Sequence, residues 1–273
     1  MNRNRFRRIV LMSGGGGYIP SAAAETWRQD IIANGGTISD AVLQVFDEEF
    51  FIPAVSNGSI LTEADRIHFW VTNSNSIASR TSVEGNNYFA SFVNAVVFDN
   101  AGSKSDGVSS YINLNYNPSA DGVKVLQDDV SLGYIVTTPP FAATVRAIGC
   151  TSNLSTRRLE VYELAGQSFI FVNSSNFTAN PNDTSAGNVL MAAKRNDAAN
   201  QTAIINASEV TAADPSTGIP NNIAFELTSS DEGVPFTDFD TSYHVASWHG
   251  SSSFDYTTFA TLVANVKIAL AAL

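Results

Sequence analysis

The sequence predicts a mainly β protein: an antiparallel β-sandwich of the jelly-roll kind, with an N-terminal arm and helix before it and a C-terminal helix after it. Short apolar runs recur about every ten residues, and the segments between them are rich in Asn, Ser, Asp, Gly and Pro, which is typical of strands joined by turns. Residues 111–116 (YINLNY) alternate in side-chain character, as a strand with one buried face does. No βαβ alternation interrupts these runs, so a parallel α/β fold is disfavoured.

The composition of residues 1–24 predicts an extended basic arm. Glycines at positions 14–17 favour a flexible hinge within it. The basic side chains of the arm are Arg3, Arg5, Arg7 and Arg8. They predict a tether to an acidic partner surface, and a frayed basic terminus is the alternative.

Residues 25–100 are predicted to form a helical and mixed region that attaches the protein to a partner. Apolar side chains recur at the helical period as far as residue 55. Thr37 and Asp40 resemble the capping box that starts a helix, and Pro53 is predicted to end it. A short buried strand is predicted at residues 67–71.

Residues 101–273 are predicted to form the sandwich domain. Its further strands are predicted at residues 131–137, 143–150, 159–164, 168–172, 189–194, 203–207, 223–227 and 243–248. The apolar period then changes to that of a helix, which predicts a closing helix over residues 255–272, capped by Ser253 or Asp255.

Charge and cysteine content argue against several function classes. The formal net charge is −11 and the pI is about 4.6, so neither nucleic acid nor an anionic membrane is a predicted partner. Cys150 is the single cysteine, so no intrachain disulfide is expected. The apolar stretch at residues 9–12 is too short for a secretory signal, and no run is long enough to cross a membrane.

The sequence contains few residues that point to chemistry, so we predict that the protein is not an enzyme and holds neither a metal nor a cofactor. His68, His244 and His249 lack the spacing of a zinc site. His244 and His249 lie five residues apart on one predicted strand and should therefore point to opposite faces. Two alternatives stay open: a glycan hydrolase that uses paired carboxylates, and a calcium site among Asp121, Asp128 and Asp129.

Aromatic side chains that reach the surface can stack on sugar rings. Tyr116, Trp248 and Tyr256 are the predicted glycan contacts, and Tyr111 and Tyr134 are further candidates. Core packing is the alternative interpretation for each of them.

Residues 105–136 (SDGVSSYINLNYNPSADGVKVLQDDVSLGYIV) resemble the laminin-G-like or concanavalin-like jelly-roll modules of bacteriophage tail, fibre and other virion proteins. The stretches that fit the same scheme are residues 187–197, 204–210, 219–227 and 244–273. The segment WRQDIIANGGTISDAVLQVFDEEF resembles the helical lead of these modules.

The resemblance implies a concanavalin-like fold and a structural protein of the phage virion, as an appendage in a tail or head fibre or on the capsid surface. Its partners would be other virion proteins and further copies of the chain, a homo-oligomer that is a trimer by analogy. The arm arginines Arg3, Arg5, Arg7 and Arg8 would anchor it. The alternative function is a carbohydrate-binding module that recognises a glycan on the host cell surface.

Overall fold

The computed structural model describes residues 18–73, 75–84, 88–137, 145–153, 157–164, 167–180, 189–206, 208–231 and 234–273. The predicted fold class is confirmed: two largely antiparallel sheets pack face to face as a β-sandwich, and helices from both ends of the chain cover one of them. The four arginines of the predicted arm lie outside the described residues.

The first helices begin at serine caps. Helix α1 (Ala22–Ala33) starts after Ser21, whose hydroxyl accepts a hydrogen bond from the Ala24 N–H. Helix α2 (Asp40–Phe46) starts after Ser39, whose hydroxyl accepts from the Val42 N–H. The predicted start at Thr37 is therefore two residues too early, because the next serine supplies the cap.

The prediction that Pro53 ends this helix is wrong. After α2 the chain makes one π-helical turn (Asp47–Phe51) and continues directly as α3 (Ile52–Asn57), in which Pro53 is the second residue. The π turn changes the hydrogen-bond register at the point where proline supplies no N–H. The helix ends instead at Gly58, whose φ of 79° lies in the left-handed region.

Three helices follow: α4 (Ser76–Arg80), α5 (Pro118–Asp121) and α6 (Tyr256–Leu270). Helix α6 confirms the predicted closing helix, and the Asp255 carboxylate caps it by accepting the Thr258 N–H at 2.9 Å. Among the described residues, no helix is both long and apolar enough to span a membrane.

The strands of the described residues are, in chain order, β1 (Ala64–Phe69), β2 (Ser91–Val93), β3 (Val97–Asp99), β4 (Gly102–Lys104), β5 (Tyr111–Asn113), β6 (Val130–Val136), β7 (Val145–Asn153), β8 (Arg157–Leu164), β9 (Gln167–Ser174), β10 (Thr178–Asn180), β11 (Val189–Arg195), β12 (Asn200–Ile205), β13 (Ser208–Ala213), β14 (Phe225–Glu226), β15 (Ser230–Asp231), β16 (Val234–Pro235) and β17 (His244–Gly250).

These strands form two sheets. The eight-stranded sheet has the order β13-β12-β11-β6-β17; β1 and β4 then both pair with β17, and β3 pairs with β4. The nine-stranded sheet has the order β10-β9-β8-β7-β14-β5-β2, with β15 parallel to β7 and antiparallel to β16. Strands β1, β2 and β3 fall within residues 25–100, so this region contributes two strands to the eight-stranded sheet and one to the nine-stranded sheet.

Two apolar cores hold the layers together. One lies between the sheets and contains inward-facing side chains of both, such as Leu132 and Val161. The other lies between the helices and the outer face of the eight-stranded sheet, where Phe50 of the π turn and Phe259 of α6 pack with Phe69 of β1. All seven residues of β17 are buried because this strand has a core on each face.

A β-bulge in β17 corrects the prediction for the histidines. The pairing with β6 shifts between His244 and Ala246, so Val245 is an extra residue in the strand. The extra residue reverses the alternation, and His244 and His249 both lie on the inner side of the sheet. His244 stacks on Tyr134 and His249 lies against Tyr116, and both tyrosines belong to the core between the sheets.

Candidate functional site

Two of the three predicted glycan contacts do not lie at the surface. Tyr116 is fully buried, its hydroxyl donates to Asp65 at 2.9 Å, and its ring packs between the sheets. Trp248 is fully buried in the other core, where it stacks on Phe254 at a ring distance of 5.0 Å. The prediction that these side chains contact a glycan is corrected, because both residues are packed inside the protein.

The third predicted contact, Tyr256, reaches the surface in part. It lies at the first turn of α6, and its hydroxyl donates to the Glu209 carboxylate of β13. Glu209 also pairs with Lys194 at 2.7 Å, and the Lys194 ammonium lies 5.5 Å from the centre of the tyrosine ring. Tyr256 therefore joins α6 to the edge of the eight-stranded sheet.

The histidine of β17 belongs to a buried polar network between the sheets. His244 Nδ1 lies 2.8 Å from Glu226 Oε1 and Nε2 lies 2.9 Å from Asp240 Oδ2. Burial alone would lower the pKa of His244, but the two carboxylates outweigh it and raise the pKa to about 9. The ring is therefore protonated at neutral pH and donates both hydrogen bonds.

Glu226 is the centre of this network. It accepts hydrogen bonds from the Trp70 indole at 2.7 Å and from the Ser247 hydroxyl at 2.6 Å, in addition to that from His244. All these side chains are fully buried, so the network joins the sheets and presents no surface to a substrate. In the part of the chain that the structure describes, no three His, Cys, Asp or Glu side chains are placed to hold a metal ion.

A cluster of aromatic side chains lies on the outer face of the nine-stranded sheet, the sheet opposite the helices. Tyr162 of β8 pairs in register with Phe169 of β9, and their rings stack at 5.1 Å and 19°. The centre of the Phe171 ring lies 5.8 Å from that of Tyr162, and the angle between the two ring planes is also 19°. The centre of the Phe177 ring lies 5.3 Å from that of Phe169, and the two ring planes are tilted by 58°. Phe177 is 55% exposed. We call these four side chains the aromatic face.

An ion cluster adjoins the aromatic face. The Arg158 guanidinium lies 3.3 Å from the centre of the Phe171 ring and donates to Glu160 Oε2 at 2.6 Å. Arg146 pairs with the other Glu160 oxygen and lies 3.4 Å from Asp238 Oδ2. Ser229 donates to Glu160 at 2.6 Å. Burial alone would raise the pKa of Glu160, but the charges of Arg146 and Arg158 outweigh it and lower the pKa, so this carboxylate is ionised.

This arrangement has the elements of a saccharide site. Phe177 presents an exposed ring, and the rings of Phe169 and Phe171 pack against it. The Arg146–Asp238 pair is partly exposed and offers both a donor and an acceptor next to the rings. Phe169, Phe171 and Tyr162 occur in predicted strands, but their apolar neighbours in the sequence give no sign of which strand face is open.

The architecture defines the class of the protein as a jelly-roll-like β-sandwich, and solved structures agree with it. A mutant of Trypanosoma rangeli sialidase displaying trans-sialidase activity is similar over 82% of this chain and 38% of its own, with 10% sequence identity and a TM-score of 0.51. A tryptophan-to-alanine mutant of HCR D/C is similar over 75% of this chain and 53% of its own, with 13% identity and a TM-score of 0.51.

The binding domain of botulinum neurotoxin serotype D is similar over 74% of this chain, with 10% identity and a TM-score of 0.48, and this chain spans about half of it, 52%. No family model and no curated protein matches the sequence. At these identities the similarity concerns the fold and transfers no site residue.

Proposed function

We propose that the protein is a carbohydrate-binding module and that the aromatic face is its binding surface. The observation that carries the proposal is Phe177, a ring more than half exposed that packs on two other rings, on the sheet face where the partly exposed Arg146–Asp238 pair borders Tyr162. Sugars bind by stacking their C–H faces on such rings while their hydroxyls bond to neighbouring polar groups. The fold places this surface on the sheet that the helices leave open.

The charges favour a neutral saccharide. Arg146 and Arg158 are matched by Glu160 and Asp238, so the ion cluster has no net charge. An acidic polymer would need unmatched cations, and the protein as a whole is strongly acidic. The proposed role is binding without catalysis. The predicted place in a phage virion and the predicted trimer stay predictions.

The test is a glycan array probed with the full chain, followed by titration of the best neutral glycan. Phe177→Ala should weaken binding about five-fold, because one stacked ring contributes on the order of 1 kcal/mol. Tyr256→Ala is the matched control, since it removes a partly exposed aromatic ring at the helix-covered sheet, and it should leave binding unchanged.

Two results would contradict the proposal. One is an array on which no glycan is bound. The other is a loss of binding in Tyr256→Ala with full binding in Phe177→Ala, which would place the site at the start of α6.

A further inference from the structure

A groove runs along helix α6 where the helical layer meets the eight-stranded sheet. Its volume is about 350 Å³. Its floor is apolar and comes from three different strands, and its wall comes from successive turns of α6. The floor residues are Ile135, Leu190 and Val245, and the apolar wall residues are Ala260, Val263 and Ala264.

Small side chains on α6 create this space. Ala260 and Ala264 lie one turn apart on the side of the helix that faces the groove, where larger residues would fill it. Along the same row, one turn beyond Ala264, lies Lys267. Asn206, Thr261 and Asn265 complete the lining, so the groove combines an apolar floor with polar side chains and the Lys267 ammonium.

Lys267 also borders a second cavity, of about 290 Å³, so its side chain lies between the two spaces. The polar residues around the second cavity are the amides Asn73 and Asn100. Within the described ranges Lys267 forms no ion pair, although the protein carries a net charge of −11. Partial burial lowers the pKa of Lys267, since a partly desolvated ammonium without a counter-charge is disfavoured.

We propose that this groove binds a medium-chain aliphatic carboxylate, with its alkyl chain on the apolar floor and its carboxylate on the Lys267 ammonium. The apolar lining favours the chain, and the lone cation favours an anionic head group. A volume of 350 Å³ is at the lower end of small-molecule sites and suits a ligand of about ten carbons better than a long lipid. The site lies on the other sheet from the aromatic face, so it is independent of the proposed glycan binding.

The experiment uses the full chain and the small fluorescent anion 1-anilinonaphthalene-8-sulfonate, which is displaced in turn by decanoate and decanol. We expect one saturable site from which decanoate displaces the probe more effectively than decanol. Lys267→Gln should weaken the binding of decanoate about ten-fold or more, because it removes a charge-assisted hydrogen bond. The affinity for decanol should not change. Lys124→Gln is the matched control for the loss of one positive charge and should have no effect.

A second variant tests the groove itself. Ala264→Phe should prevent the binding of both decanoate and decanol, because the added ring occupies the space above the groove floor. Tryptophan fluorescence checks that each variant is folded, since Trp27, Trp70 and Trp248 are all buried. Absence of saturable binding, equal displacement by decanol, or an unchanged decanoate affinity in Lys267→Gln would overturn the proposal.

Discussion

The protonated histidine between the sheets makes a quantitative prediction about pH. His244 has a pKa near 6.5 in the unfolded chain and of about 9 in the folded protein, where Glu226 and Asp240 hold its proton. Because the folded state binds the proton more tightly, the stabilisation is fully present below pH 6.5 and is lost as the pH rises through about 9. The difference in pKa corresponds to about 3 kcal/mol of unfolding free energy.

Glu163 contributes in the same direction and has to be separated from the histidine. Burial raises the pKa of Glu163 to about 9, and the Asp240 charge adds to this effect. Its folded pKa is thus also above its unfolded value, so its contribution to stability also declines as the pH rises. The variant His244→Gln removes the imidazole titration and keeps Glu163, although the His244 charge lowers the pKa values of Glu163 and Asp240, so both should rise in the variant.

The assay is urea unfolding followed by tryptophan fluorescence at intervals from pH 6 to pH 10. The unfolding free energy of the wild type should fall across this range, and that of His244→Gln should fall less, by at most about 3 kcal/mol, since the raised carboxyl pKa values offset part of the difference. A wild-type stability that stays level or rises between pH 6.5 and 9 would refute the reasoning. So would an identical decline in the two proteins.

Two further predictions concern packing and buried hydrogen bonds. Gly133→Ala should lower the free energy of unfolding in urea by about 1–3 kcal/mol, because the added methyl group overlaps the Trp248 ring. The loss should be smaller in a Trp248→Phe background, and equal losses in the two backgrounds would argue against that contact. Asp65→Ala should lower the free energy of unfolding by about 3 kcal/mol or more, because three buried or half-buried backbone N–H groups at residues 123–125 and the Tyr116 hydroxyl lose their acceptor. Asp106→Ala is its control, since Asp106 also accepts three backbone N–H groups but in an exposed loop, and a loss as large as that of Asp65→Ala would contradict the role of burial.

The sequence predicted the strands whose alternation is local. The run predicted at 159–164 is observed as Arg157–Leu164, and that at 168–172 as Gln167–Ser174. The closing helix was likewise predictable, because its apolar period and its Asp255 cap are both local signals.

The burial of Trp248 and the orientation of the histidines could not be predicted from the sequence, because they depend on which layers pack together and on a local bulge. The prediction that Trp248 contacts a glycan assumes that its strand has one open face, whereas helices cover the second face of β17. The bulge at Val245 has no signature in the sequence, so the relative orientation of His244 and His249 was predicted incorrectly.

The aromatic face was missed for a related reason. Tyr162, Phe169 and Phe177 come from separate stretches of the chain that strand pairing brings together. Periodicity places Phe169 and Phe171 on one side of β9, but Ile170 and Val172 on the other side are equally apolar, so the pattern does not distinguish core from surface.

The position of β17 also constrains the order in which the protein can be completed during synthesis. This strand is made about 180 residues after β1 and after every other described strand of the eight-stranded sheet, yet it lies inside that sheet and joins β1 to β6. Until residues 244–250 leave the ribosome, β1 and β6 have a gap between them in place of a partner. A chain that stopped short of this strand would therefore not be a smaller version of the same sandwich, since it would expose two unpaired edges at its centre.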